Sequence, residues 1–205
     1  MSGFELLIVL AAWGIGAGSP GPATLTIAST AMDRGRRDGM LTGLGVLAGS
    51  SFWGLAAMFG MSALMLSNGW IVEVLRYLGA GYLLYLALKS LRSAITAAPL
   101  IATGGRTGLP PFLKGLFVHL TNPKPIFGWG AVFAVLVPPG SDFTALITIY
   151  LSLVSVSAAI FIGYGALFAA GGVMRVYQRM KRGFELVFAA LFGAAALKIL
   201  TTRLT

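Results

Sequence analysis

Midway along the chain, an apolar run from about Phe112 to Val137 is interrupted by Leu120-Thr121-Asn122-Pro123-Lys124-Pro125. A run of that length is a candidate membrane span. A lysine at the bilayer centre costs about 2.5 to 3.5 kcal/mol on insertion scales. Each proline removes an intrahelical hydrogen bond and clashes with the preceding turn. Two of them, two residues apart, break the helix and free backbone groups at membrane depth, where only protein or a cavity can satisfy them. The expectation is a midplane cavity with Lys124 facing into it. Ser19-Pro20-Gly21-Pro22 interrupts the first apolar run in the same way. Pro20 and Pro123 stand about half a chain length apart, the register that an internal duplication leaves behind.

Hydrophobic residues make up 57% of the 205 and charged residues 10%, against roughly 45–50% and 25% in soluble domains. The chain therefore reads as an all-α integral membrane protein embedded in the lipid bilayer. Its length leaves room for six spans of about 20 residues each and none for a soluble domain. A net charge of +9 would suggest nucleic acid in a soluble protein, but here the positive residues gather between spans, so no nucleic-acid partner is expected. The absence of cysteine excludes disulfides and thiolate metal sites, and a single histidine excludes a multi-histidine centre. No metal and no cofactor is expected. The N-terminus lacks the basic region of a signal peptide and reads as a retained first span.

The expected spans are about Phe4–Met32, Met40–Leu66, Trp70–Leu91, Phe112–Val137, Phe143–Val173 and Phe184–Leu204. Arg34, Arg36 and Arg37 follow the first, Lys89 and Arg92 close the third, and Arg175, Arg179, Lys181 and Arg182 form a basic loop after the fifth. The turns after spans 2 and 4 carry no positive charge. Positive loops stay in the cytoplasm, which puts both termini outside, with Lys198 and Arg203 as the minor contradiction. Glu73 and Arg76 can pair on one face of span 3 as an interface anchor. Residues 1–92 form a first three-helix repeat, 93–110 a cytoplasmic connection and 111–205 a second repeat. Three spans being an odd number, the repeats are inverted in topology, an architecture that places substrate at the midplane between broken helices. Gly39xxxGly43 and Gly45xxxGly49 in span 2 read as close helix packing and permit a homodimer without demanding one.

Ser19-Pro20-Gly21-Pro22, the turn Arg34-Gly35-Arg36-Arg37-Asp38-Gly39, Leu78-Gly79-Ala80-Gly81-Tyr82-Leu83-Leu84-Tyr85-Leu86, and Phe112-Leu113-Lys114-Gly115 leading to Asn122-Pro123-Lys124 together resemble, in order, the LysE/RhtB family of amino-acid exporters. The resemblance covers nearly the whole chain. It implies a multi-pass protein of the bacterial cytoplasmic membrane that exports amino acids or close derivatives, driven by the proton gradient. Many members carry an aspartate after the glycine in span 2, where this chain has Gly49-Ser50-Ser51. Glu5, Asp33, Asp38, Glu73, Asp142 and Glu185 all fall near expected interfaces or in loops. With no midplane carboxylate, a neutral amino acid fits better than a cationic one.

Lys124 has three donors and no acceptor, so its partner is a substrate carboxylate or a carbonyl released by the break. Asn122 either fixes the break or meets substrate. Ser19, Thr24, Ser50 and Ser51 are hydroxyls at cavity depth, serving either helix packing or ligand contact. Pro20, Pro22, Pro123 and Pro125 shape the breaks, and Gly21 lets the backbone approach a ligand. His119 lies one turn before Pro123 and is the candidate for a coupling proton. The leading reading is a non-enzymatic secondary transporter working by alternating access. In it the substrate carboxylate meets Lys124 and the positive ends of broken helices, and the ammonium meets freed carbonyls and hydroxyls. One rival is an intramembrane serine hydrolase with Ser19 as nucleophile and His119 as base, which needs the two within hydrogen-bond reach. Another is a structural membrane subunit, which predicts no pocket at Lys124.

Overall fold

The computed structural model describes residues 3–67, 69–96, 108–136 and 141–201. These form eight helices with no strand among the described residues: α1 (Gly3–Gly18), α2 (Pro22–Arg34), α3 (Arg36–Ser67), α4 (Gly69–Thr96), α5 (Pro111–Leu120), α6 (Pro123–Leu136), α7 (Phe143–Leu167) and α8 (Val173–Thr201). The Arg36–Gly60 part of α3 and all of α7 are long and apolar enough to cross a membrane. The pair α1 and α2, bent by 58° at Ser19-Pro20-Gly21, makes up to a third such span.

Local chemistry sets the boundaries. Pro22 and Pro123 open α2 and α6 at the first helical position, where a missing N–H does no harm. Asp142 accepts from the Ala145 N–H at 2.9 Å and caps α7. Two turns need a left-handed backbone and have glycine there: Gly35 (φ 86°) between α2 and α3, and Gly172 (φ 94°) ahead of α8. The polar turn after the first apolar run thus shrinks to Gly35. The segment expected as a basic loop is helical instead, because Gly172 turns the chain early enough for Arg175, Arg179, Lys181 and Arg182 to occupy the opening turns of α8. Most of the 93–110 connection and part of the turn after α6 lie outside the described residues, as do the side chains of Glu5, Glu73 and Arg76.

Helix α3 is the centre of the packing, touching α2, α5, α6 and α7. Its glycines explain why. A Cβ on Gly45 would collide with the Phe112 carbonyl of α5, one on Gly43 with the Phe161 carbonyl of α7, and one on Gly39 would approach Ala31 and Gly165 at about the same depth. Gly115 of α5 lies equally tight against the Thr42 carbonyl. Here the small residues bring backbones together within the fold. Helix α4 packs mainly on α8, with Ala80, Leu83, Ala131 and Ala196 buried between α4, α6 and α8. Met58, Trp129, Phe133, Tyr150 and Leu153 belong to the largest buried apolar cluster among the described residues, between α3, α6 and α7.

Overpacking a tight core costs about 1–3 kcal/mol or more. Gly115→Ala is therefore expected to lower the thermal midpoint of the detergent-purified protein by several degrees, whereas Gly79→Ala, with nothing within 4 Å of the added carbon, leaves it in place. Equal midpoints would contradict the close contact of α3 with α5.

Candidate functional site

Both helix breaks free carbonyls whose usual donor would be a proline nitrogen. At the first break the Gly16 carbonyl has lost its partner to Pro20, and Ser19 Oγ donates to it at 2.9 Å. The Gly18 carbonyl has lost its partner to Pro22, and the hydroxyls of Tyr164 (3.0 Å) and Tyr177 (2.9 Å) donate to it from α7 and α8. The Gly21 N–H donates to Thr24 Oγ1 at 2.9 Å, and the Thr24 hydroxyl lies between the Gly21 carbonyl (3.1 Å) and that of Ser19 (3.3 Å).

The second break is closed differently. Asn122 Oδ1 accepts the Lys124 N–H at 3.0 Å and so caps α6. That takes away the donor of the Leu120 carbonyl, which accepts from Trp53 Nε1 of α3 at 3.3 Å instead. The His119 carbonyl, deprived by Pro123, accepts from the Asn122 N–H at 3.2 Å. The carbonyls at Gly16, Gly18, His119 and Leu120 thus all have donors. The expectation that freed carbonyls wait for a substrate ammonium is not met at these four. The helix ends also differ as anion sites. Pro123 and Pro125 lack N–H groups and that of Lys124 is taken, so α6 presents few donors, whereas α2 brings Ala23 and Thr24 to the cavity wall in its first turn.

Lys124 joins the two breaks. Its Nζ donates to Ser19 Oγ and lies 4.7 Å from the centre of the Phe188 ring of α8, a cation–π contact. A Cβ on Gly21 would stand 4.0 Å from Nζ, so the bare glycine backbone leaves the space before the ammonium open. That space belongs to a cavity of about 340 Å³, within the range of small-molecule sites. Ser19, Gly21, Thr24, Ser50, His119, Asn122, Lys124 and Pro125 all line it. Pro20, Pro22 and Pro123 shape the breaks from outside that lining. Ser51 offers its carbonyl to the Tyr150 hydroxyl at 3.3 Å. The rest of the wall is largely apolar, with Ile8, Val9, Leu83, Phe161 and Phe192 among it.

His119 is buried, its ring edge-on to Phe161 at 5.7 Å, and neither of its nitrogens has a hydrogen-bond partner among the described residues. Ser19 is engaged with Gly16 and Lys124. The Ser19–His119 pair that a serine hydrolase needs is therefore not formed, and the cavity at Lys124 is what a purely structural subunit would lack.

Several contributors were not legible as such. Trp129 Nε1 donates to Ser50 Oγ at 3.1 Å and Trp13 Nε1 to Ser157 Oγ at 2.8 Å, with the two indoles 4.5 Å apart. A tryptophan far from a span's ends must find an acceptor for its N–H, and that signal was available at both positions. Glu185, read as lying at an interface, is buried in α8 and accepts from Ser93 Oγ of α4 at 3.2 Å. Tyr177 and Phe188 carried no signal, since nothing in their own segments shows that α8 reaches both breaks.

The family model for LysE type translocators matches residues 14–203. The threonine efflux protein of Escherichia coli K12 is 30% identical over 193 residues, covering 90% of this chain and 92% of that protein. The uncharacterized membrane protein YahN of the same strain is 29% identical over 191 residues, covering 91% and 85%. The leucine efflux protein of Salmonella typhimurium LT2 is 28% identical over 177 residues, covering 85% and 82%. No solved structure matches the chain. With the match spanning both helix breaks and most of the cavity lining, the chain belongs to the LysE type translocator family.

Proposed function

We propose that the protein exports small neutral amino acids or close derivatives across the bacterial cytoplasmic membrane, coupled to protons, by alternating access at the cavity between the two breaks. The observation that carries this reading is Lys124, a cation set against an opening in a largely apolar wall and held by a serine from the opposite break. A substrate carboxylate fits between its ammonium and the first turn of α2, where charge-assisted bonds are strong. The names of the threonine and leucine efflux relatives support amino-acid export and agree in pointing to neutral substrates. In this reading α1/α2 and α5/α6 are the broken first spans of two inverted three-helix repeats, residues 1–92 and 111–205, giving six spans. The basic opening of α8 faces the cytoplasm and both termini lie outside. With the glycines of α3 engaged inside the fold, Gly79 and Gly81 of α4, which have nothing within 4 Å of an added Cβ, leave room for a homodimer.

When neutral, the imidazole of His119 offers one donor and one acceptor, which makes it a substrate contact as well as the proton site read from the sequence. The Ser19 hydroxyl, already bonded to Gly16 and Lys124, orients the ammonium rather than reacting.

Two measurements test the reading. Hydrogen bonds to charged groups contribute about 1.5–3 kcal/mol, so Lys124→Met in proteoliposomes is expected to raise the KM for neutral amino-acid counterflow by about tenfold or more. Unchanged counterflow would remove Lys124 from carboxylate binding, and no exchange by the wild type would remove the exporter reading. Because the chain has no cysteine, Arg179→Cys gives a single label site for orientation. An impermeant maleimide is expected to reach it only from the cytoplasmic face, and labelling from the outer face would reverse the topology.

A further inference from the structure

The cavity extends to one side of the breaks only. On α1 its wall runs back from Ser19 to Ile8, and on α6 it runs forward from Lys124 to Val132. On α8 it runs forward from Phe188 to Ala194. Ile8, at the far end, is half exposed. In the other direction the wall stops, among the described residues, at Thr24 of α2, Phe161 of α7 and Phe188 of α8.

One turn further, the same thing happens on all three helices. Ala28 follows Thr24, Tyr164 follows Phe161 and Phe184 precedes Phe188, and these three meet in one apolar cluster with Ala31, Phe168 and Tyr177. The rings interlock edge-on: Tyr164 lies 5.2 Å from Phe168 and 5.6 Å from Tyr177, and Phe168 lies 5.1 Å from Tyr177. Phe184 stands 5.9 Å from Tyr177. The cavity is thus open toward the start of α1 and the end of α8, and shut toward the basic opening of α8.

The shut side is tied to the first break at a single atom. The Gly18 carbonyl accepts from Tyr164 at 3.0 Å and from Tyr177 at 2.9 Å. One donor meets the deficit that Pro22 creates, although a carbonyl oxygen can take two. The second bond is therefore more than the break requires, and the two tyrosines differ in what carries them. Tyr164 sits beside Gly165, whose backbone is in close contact with Gly39 of α3, so this end of α7 is held to the centre of the fold. Tyr177 opens α8, beyond the turn at Gly172 (φ 94°). That helix packs mainly on α4, to which Glu185 ties it through Ser93. A single hydrogen bond is a small net bias, because water replaces it when it breaks, and a small bias suits an element with two positions.

We propose that Tyr177 is a latch on the transport path: its bond to the Gly18 carbonyl holds the opening of α8 across the cavity, and export requires that bond to open while Tyr164 keeps the carbonyl satisfied. This rests on the alternating-access reading above and names the moving part of one of its two gates. Tyr177 acts through α8, as a positioning residue that touches no substrate.

The test places a single cysteine, Gly128→Cys, in the full chain, which has none of its own. Gly128 lines the cavity one turn beyond Lys124, and a Cβ there meets only Trp13, at 4.0 Å. A charged, impermeant methanethiosulfonate is applied to membrane vesicles of either sidedness, with the faces assigned by the Arg179→Cys label, so that a reversed topology does not imitate a failed latch. Without further substitution, labelling is expected to be at least about tenfold faster from the face opposite the basic opening of α8, and Tyr177→Phe is expected to bring the two rates within about threefold. Tyr164→Phe is expected to keep the preference, since the carbonyl then depends on Tyr177 alone. Should Tyr177→Phe fail to fold, Phe184→Leu loosens the same ring contact and is expected to move the ratio in the same direction.

Equal rates from both faces in the otherwise unchanged chain overturn the proposal, as does a preference lost equally in Tyr164→Phe. A lowered thermal midpoint in Tyr177→Phe with the rate ratio unmoved is the outcome for a merely structural bond and overturns it too. Counterflow of labelled threonine and leucine in the same vesicles separates the two readings. No exchange by the wild type removes the exporter reading and the latch with it, whereas exchange with one-sided labelling kept in Tyr177→Phe overturns the latch alone.

Discussion

The bond from Lys124 to Ser19 is the interaction on which the rest of the structure depends. A charge that costs several kcal/mol at membrane depth needs polar company, and the polar company available inside apolar helices lies where the helices are broken. Lys124 stands at the second break and Ser19 at the first, so the charge of one is solvated by the irregular backbone of the other. Phe188 covers the ammonium from α8. Elements far apart in sequence are thereby held at one point.

The same logic accounts for the tyrosines, tryptophans and amides around the breaks. A proline removes a donor, a carbonyl is orphaned, and an orphaned buried carbonyl is expensive. Tyr164 and Tyr177 at Gly18, Ser19 at Gly16 and the Asn122 N–H at His119 each answer such a deficit, and Trp53 answers the one at Leu120 that arises where Asn122 Oδ1 takes the Lys124 N–H. With those deficits met, the breaks are fixed parts of the scaffold. The polar groups left in the cavity lining are few: the ammonium of Lys124 and the start of α2, the hydroxyls of Ser50 and Ser157, and the imidazole of His119. A largely apolar wall with a few polar groups suits a small amphiphilic ligand.

Close packing makes this geometry possible. The glycines of α3 and α5 let backbones approach to the point where any side chain would collide. That approach brings His119 beside Gly49. Without it the α5 break would stand away from α3, and the bond from Trp53 to the Leu120 carbonyl would not form.

Much of this was written in local chemistry. Apolar runs of span length, Pro-x-Pro at Pro20 and Pro123, and a lysine where lysine is costly determined that the chain is helical, suited to a membrane and broken at two places, because those are properties of single residues and near neighbours. They also pointed to Ser19, Gly21, Thr24, Ser50, His119, Asn122, Lys124 and Pro125, all of which reach one cavity. The sequence did not show that Glu185 is buried, that α8 begins at Val173, or that Trp13, Trp129, Tyr164 and Tyr177 serve as donors. A side chain's partner depends on which helices lie beside it, and Gly18 and Tyr177 meet only when α2, α7 and α8 are packed together. The sequence by itself determined where hydrogen bonds would be missing; only the tertiary structure decided which groups supply them, because that choice is made by side chains arriving from other helices.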